Sequence, residues 1–289
     1  MHRPWSLKNG RSFTSAARPR MERMRFVAYE TIIYAADDHG VTITLNRPAA
    51  LNALTRQMRA ELLDGLKRAA ADGEARALTL AGAGKAFSVG QDLKEMEHDY
   101  QSGMNLGQLV RDEYMPLVRT LRAMPKPTIA LVQGTALGGG MALALACDFR
   151  VLSPDARFIA GFVHVGLAPD TGTSFLLPKM IGQARALEIF LTGSPITAED
   201  AVRYGLSSEV HGDRERAEAA ARSLAKLLAA GPTKAYAAIR QLVDQTAAVP
   251  LEDAMAKEME TQASLSLTQD HLAAVAAFLD KRKPDYTGT

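Results

Sequence analysis

The chain has 289 residues, with 34 Lys and Arg against 32 Asp and Glu, for a formal charge of +2. So even a balance gives no broad basic surface for nucleic acid. With 47% hydrophobic and 23% charged residues, disordered, collagenous and coiled-coil classes are excluded and a globular protein with a sizeable core is expected. The single cysteine, Cys147, supports neither a disulfide framework nor a multi-cysteine metal site, and the six histidines form no HExxH pair. No metal is expected, and a reducing, cytoplasmic setting is.

Residues 1–25 carry Arg3, Lys8, Arg11, Arg18, Arg20, Arg23 and Arg25 against one acid, Glu22. They read as a disordered basic leader. An organelle-targeting segment and an upstream start, with Met21 or Met24 as the natural beginning, both stay open. Phe26–Tyr34 and Val41–Leu45 read as strands joined by Asp37-Asp38-His39-Gly40. Thr55 opens a helix whose stripe Met58, Leu62, Leu63, Leu66 runs to Ala70. Ala77–Leu80 is a short buried strand followed by a glycine loop. A helix is expected from about Leu106 to Arg122, stopped by Pro125 and Pro127. Thr128–Cys147 is twenty residues without a charge, long enough to span a bilayer. Gln133 and its glycines divide it instead into a strand, a turn and a buried helix, so no membrane partner is expected. Strand character resumes at Asp148–Leu152 and Arg157–Ile159. The alternation of strand, loop and helix gives an α/β core over 26–213. Residues 214–289 read as helices: Arg214–Leu228, Thr233–Gln245, Leu251–Ser264 and Gln269–Lys281.

Several chemistries are excluded by spacing. Gly84-Lys85 lacks the Walker partners, since Thr79 and Ala86 occupy the required positions; no GxSxG surrounds a serine; and Gly134…Gly138-Gly139-Gly140 does not keep GxGxxG. Two glycine-rich strand-to-loop junctions remain, Lys85–Leu93 and Gly134–Met141. A helix starting near Gly140 leaves unpaired N–H groups and the positive end of its dipole at the turn. Two such junctions converging would suit an oxygen that gains charge during a reaction. Glycine loops that merely turn the chain have the same composition.

Five motif groups carry a resemblance. They are Leu45-Asn46-Arg47-Pro48 with Leu51-Asn52-Ala53-Leu54; Lys85-Ala86-Phe87-Ser88-Val89-Gly90-Gln91-Asp92-Leu93; Lys126-Pro127 with Ala136-Leu137-Gly138-Gly139-Gly140 and Ala146-Cys147-Asp148; Gly166-Leu167-Ala168-Pro169-Asp170 with Leu177-Pro178; and Leu191-Thr192-Gly193. In this order the chain resembles the crotonase, or enoyl-CoA hydratase/isomerase, superfamily over about residues 26–283. The resemblance implies a crotonase-like spiral of ββα units with a C-terminal helical trimerisation region, assembled as a trimer or dimer of trimers. It also implies an acyl-CoA thioester substrate, coenzyme A being part of that substrate and no separate cofactor. It places the oxyanion hole at the amides of Val89 and Gly139, within a substrate-binding surface that includes Gln91, Asp92, Leu93, Gly138, Ala142 and Phe162. The coenzyme A contacts it implies fall at Asn52, Ala53, Leu54, Lys85, Ala86, Phe87 and the basic end at Lys281. For Lys281 an ordinary solvated lysine fits equally well.

The chain departs from the pattern where the family's hydratases carry two glutamates. Ala142 and Phe162 stand there, so paired carboxylates are absent from those positions. Asp170 is the acid left nearby, where dienoyl-CoA isomerases and the ring-epoxide isomerases of phenylacetate breakdown carry a functional aspartate. The likeness to the latter extends through Ser174–Lys179 and Thr268-Gln269-Asp270-His271. The implied activity is an acyl-CoA isomerase with Asp170 as proton shuttle. The competing use of Asp170 is a helix N-cap. A hydratase with a displaced acid, and a non-catalytic acyl-CoA binder, are the competing functions. Asp92 and Asp148 are expected to be structural, His164 an ordinary histidine, and Asp112 and Glu113 minor candidates on a helix bordering the pocket.

Overall fold

The computed structural model describes residues 24–37 and 40–289. The expected leader falls on residues 1–23, outside the described residues, as do Asp38 and His39 of the first turn. Arg25, the last residue of the 1–25 stretch, opens strand β1 (Arg25–Val27). The single strand expected over Phe26–Tyr34 is two, β1 and β2 (Ile32–Ala36), paired antiparallel with Arg25 opposite Ala36. Glu61 explains the break. Its carboxylate accepts from the amides of Glu30 and Thr31 and from the Thr31 hydroxyl, pinning that turn to helix α1 (Arg56–Ala71).

Strand β3 (Val41–Leu45) follows, and α1 starts where Thr55 accepts the Met58 amide as its N-cap. The remaining strands form a regular succession. β4 (Leu78–Gly82), β6 (Thr128–Val132) and β8 (Phe149–Leu152) extend a six-stranded sheet ordered β1-β2-β3-β4-β6-β8, parallel from β3 onward. β5 (Ala86–Ser88), β7 (Thr135–Leu137), β9 (Arg157–Ile159) and β10 (Ile196–Thr197) form a second sheet ordered β10-β9-β7-β5. Each coil of chain therefore gives one strand to each sheet, the ββα spiral that the resemblance implies. Successive coils touch backbone to backbone: a β-carbon at Gly134 would stand 1.9 Å from the Lys85 carbonyl oxygen, a contact open only to glycine.

Helix α2 (Leu93–Gln101) leaves the β5 loop. The helix expected over Leu106–Arg122 is present but interrupted, as α3 (Leu106–Leu109), a π-helical turn (Val110–Tyr114) and α4 (Met115–Arg122). Pro116, at the start of α4, has no N–H and its ring crowds the carbonyl four residues back, and a widened turn relieves this. Helix α5 (Gly139–Ala146) is buried on every side, which accounts for the charge-free run: its residues are core. No helix among the described residues is long and apolar enough to cross a membrane. Lys126 is also buried, its Nζ donating to the carbonyls of Ala69 and Asp72 at 2.6 and 2.7 Å, so it closes the C-terminal end of α1. Asp148 accepts from Thr128 and, at 2.6 Å, from Arg240, a structural tie as expected.

Helices α6 (Thr173–Ile181), α7 (Gln183–Thr192) and α8 (Ala198–Arg203) complete the last coil. Then come α9 (Arg214–Ala229), α10 (Thr233–Thr246), α11 (Leu251–Leu265) and α12 (Gln269–Leu279). Ala217, Ala221 and Leu228 of α9 pack on Ala81, Ile129, Leu131 and Val151 of the larger sheet and on Ala77 just before β4. The chain end returns to the body. Buried Asp270 accepts the amides of Thr287 and Gly288, while Arg76 donates to Tyr286 and Thr233.

Candidate active site

The two glycine-rich junctions do converge. A β-carbon at Gly140 would lie 2.4 Å from the Ser88 carbonyl oxygen, and one at Gly90 would lie 3.2 Å from the Gly139 nitrogen. The β5 loop and the start of α5 thus meet with no side chain between them. Beside them is a cavity of about 280 Å³ lined by Val89, Gln91, Leu93, Gly138, Gly139, Phe162 and Asp170, together with Met96, Val110, Tyr114, His164 and Leu167. The lining is largely apolar, and Asp170 is its one acid among the described residues.

The Gly139 amide is the first of α5 and has no acceptor within the helix. Val89 differs: its amide donates to the Leu51 carbonyl at 3.2 Å, the long end of the hydrogen-bond range. One expected oxyanion donor is therefore uncommitted within its helix and the other already has a partner. Leu51 and Asn52 both take left-handed backbone, φ 50° and 56°.

The residues at the implied coenzyme A contacts differ in exposure. Asn52 is fully buried; its Nδ2 donates to the carbonyls of Ala83 and Ala86, each at 2.8 Å, and of Phe87 at 3.2 Å, and its Oδ1 accepts the Arg47 amide at 2.9 Å. Its side chain ties the loop to β5 and has no group left for a ligand. The side chains of Ala53, Leu54, Ala86 and Phe87 are buried as well, and Ala142 is buried behind the cavity rather than lining it. At these positions only backbone atoms are left to meet a ligand. Lys85 is exposed next to this loop, and Lys281 sits on an exposed turn after α12, outside the cavity. Asp92 caps the next helix and pairs with Arg47 at 2.9 Å. Burial alone would raise its carboxyl, but Arg47 and the amides of Glu95 and Lys94 outweigh burial and hold it below the usual carboxylate range.

Asp170 does not cap a helix. Helix α6 starts from Gly172 with no side-chain cap, and the Asp170 Oδ1 instead accepts the Thr171 hydroxyl at 2.7 Å. Burial raises its carboxyl above the ordinary value, and the Thr171 hydroxyl offsets part of that. His164 lines the cavity, with Nε2 3.4 Å from the Gly193 carbonyl oxygen. Cys147 is buried and its thiol is pushed up to about 12 by burial, which excludes a thiolate nucleophile at neutral pH.

A second group of residues here was not anticipated. Arg59, 1% exposed, joins Glu113 (2.7 Å), Glu95 (3.2 Å) and the Gln91 Oε1 (2.9 Å). Tyr114 donates to the same Gln91 oxygen at 2.6 Å and lies under the Arg59 guanidinium, 5.0 Å from its ring centroid. Burial pushes the Tyr114 hydroxyl up, so it stays protonated. The network fastens the π turn to the loop that carries Val89. Of the two minor candidates, Glu113 serves this network, while Asp112 is exposed and pairs with Arg111. The sequence did hold a signal for Arg59: it falls on the buried stripe of α1, three residues before Leu62 and seven before Leu66.

Spiral and site together define a family, and comparison with known proteins gives the same one. The family model for enoyl-CoA hydratase/isomerase matches residues 38–289, and the chain belongs to that family of enzymes, the crotonases, which act on acyl-CoA thioesters. A Rhodobacter capsulatus protein named "Probable enoyl-CoA hydratase" is 40% identical over 262 residues, covering 91% of this chain and 100% of the relative. The 1,2-epoxyphenylacetyl-CoA isomerase of Escherichia coli is 37% identical over 260 residues, covering 90% and 99%. A crystal structure of a Mycobacterium abscessus protein described as an enoyl-CoA hydratase/isomerase superposes with a TM-score of 0.85 at 38% identity, covering 89% and 100%.

Proposed function

We propose that this enzyme is an acyl-CoA isomerase in which Asp170 moves a proton along an enoyl thioester. The observation that carries this reading is the single acid among the described residues of the cavity wall, with Ala142 and Phe162 where two glutamates would stand. The Asp170 carboxylate takes a proton from C2 of a 3-enoyl thioester. The electron pair spreads over the dienolate and places negative charge on the thioester oxygen, where the Gly139 amide and the Val89 amide, shared with Leu51, stabilise it. The Asp170 carboxyl, whose proton exchanges with water, then delivers a proton at C4, and the double bond ends at C2–C3. One oxyanion donor is worth about 3 kcal/mol of barrier, and a positioned base about 10²–10⁴-fold in rate.

A ring-1,2-epoxyphenylacetyl thioester is the substrate suggested by the E. coli relative's name, and its conversion to an oxepin would use the same oxyanion site. The apolar lining by Phe162, Met96 and Leu167 suits an aromatic or alkyl group. A hydratase reading has the support of the R. capsulatus relative's name, but activating water calls for an acid and a base together. Crotonyl-CoA in deuterated water tests the choice. Isomerase chemistry exchanges the C4 protons and keeps the conjugated absorbance, and Asp170→Asn abolishes the exchange. Loss of absorbance with Asp170→Asn unaffected would reject the assignment, and binding without any exchange would favour a non-catalytic binder.

The proposed assembly is a homo-oligomer of the trimer type. No residue of α10 or α11 is buried, and Leu272, Val275, Phe278 and Leu279 of α12 stand exposed, apolar residues of the kind that a subunit interface covers.

A further inference from the structure

Thr171 is β-branched, 4% exposed, and held at φ 52°. A β-branched side chain in the left-handed region is a true outlier, costing on the order of what a lost hydrogen bond does, and such residues persist where the surroundings hold them and often where function needs them. Glycine would fit that backbone without strain, and Gly172 beside it, at φ 82°, does. What threonine adds is a hydroxyl, and that hydroxyl donates to the Asp170 Oδ1 at 2.7 Å. The turn is closed independently by the Thr173 amide donating to the Asp170 carbonyl at 2.8 Å, so the side-chain bond is not what folds the loop.

We propose that Thr171 is a positioning residue for the isomerisation, aiming the Asp170 carboxylate into the acyl cavity and stabilising its ionised form. The inference rests on the reading of Asp170 as the proton shuttle. No lysine or arginine is among the described residues that line the cavity. The titratable groups facing Asp170 there are Tyr114 from the π turn and His164 from the turn Phe162–Val165. Tyr114 stays protonated and its hydroxyl is given to Gln91. With no lysine or arginine opposite, the hydrogen bond from the neighbouring hydroxyl favours the charged form of a carboxylate that burial pushes up.

The test is the pH dependence of C4 proton exchange in crotonyl-CoA, measured in a His164→Gln background so that the imidazole does not titrate. Thr171→Val keeps the β-branched shape and loses the donor. Its acid limb should move to higher pH by about one unit, because a bond to the charged form is gone, with kcat near neutrality reduced about tenfold and KM unchanged. Thr171→Ser should restore both. Thr171→Gly removes the backbone strain as well as the hydroxyl, and it must show the same shift. Thr173→Val, which removes a buried hydroxyl with no hydrogen-bond partner, should leave the profile unchanged. A wild-type profile in Thr171→Val and Thr171→Gly, with Asp170→Asn inactive, would overturn the role of Thr171 alone. Full exchange by Asp170→Asn would instead overturn the assignment of Asp170.

Discussion

The ring of Tyr114 lies against the α-carbon of Gly139: a methyl group placed on that glycine would stand 2.8 Å from the ring's Cε1. The residue proposed to offer an oxyanion amide and the residue at the end of the π turn are thus in direct contact. Gly139→Ala should fold but push the ring aside, and with it the Gln91 hydrogen bond. We expect kcat to fall by 10- to 100-fold or so, equivalent to about 1.4–2.7 kcal/mol of barrier, with a smaller change in KM. Steady-state kinetics on an enoyl-CoA would show it, and a double variant with Tyr114→Leu should recover part of the loss by making room.

Arg59 is a buried cation among acids that are themselves only partly covered. Removing one partner of such a group leaves uncompensated charge, and Arg59→Met should cost about 3 kcal/mol or more in a urea titration. Adding Glu113→Gln to Arg59→Met should return some of that stability. If the double variant were no more stable than the single one, the network would not be held together by charge.

Asn52 satisfies several buried backbone groups at once, and it sits in a left-handed conformation that asparagine tolerates better than alanine does. Asn52→Ala strands the carbonyls of Ala83 and Phe87 and the Arg47 amide, while Ala86 keeps Gln133. At about 1–3 kcal/mol for each unpaired buried group, thermal denaturation should show a loss of at least about 2 kcal/mol. A purely ligand-contacting Asn52 would lose affinity and keep its melting temperature.

Asp170 should lower stability at neutral and higher pH. Its folded pKa is raised, so the native state binds the proton more tightly than the unfolded chain, and the penalty is present above the raised pKa and disappears as pH falls through it to the unfolded value. Asp170→Asn should therefore melt higher than the parent at pH 7–8, by up to roughly 2–4 °C if the gain is about 1 kcal/mol. That advantage should vanish towards pH 4, as scanning calorimetry at both ends would show.

Phe278 is 82% exposed at the end of α12. If that face joins subunits, Phe278→Glu should lower the mass measured by light scattering while leaving the circular dichroism of the subunit unchanged. A monomeric parent protein would remove the basis for this expectation.

The parts legible in the sequence were those with a local cause. The Thr55 cap, the helices from Arg214 onward and the strand at Thr128–Val132 each follow from periodicity or punctuation within a few residues. The break between Val27 and Ile32 was hidden because its cause, Glu61, lies thirty residues away. The π turn was equally hidden, since Pro116 marks a disturbance but not the form the backbone takes to relieve it.

At the site, glycine spacing indicated which loops meet, and the absent glutamates could be read directly at Ala142 and Phe162. What spacing could not give was the direction of a side chain or an amide. Asn52 turned inward to become a brace, and the Val89 amide found the Leu51 carbonyl. Tyr114 and Arg59 belong to no motif, and only the folded chain shows them beside Gln91.

The seam at which Gly134 presses on Lys85 bears on how such an enzyme can diversify. Insertions or bulkier residues along the inner corners would pry the windings apart, so the stack of coils is frozen by geometry. Adaptation to a new acyl group is left to the outward walls, α2, the π turn and the Phe162 turn, where residues can be exchanged without disturbing the stack beneath.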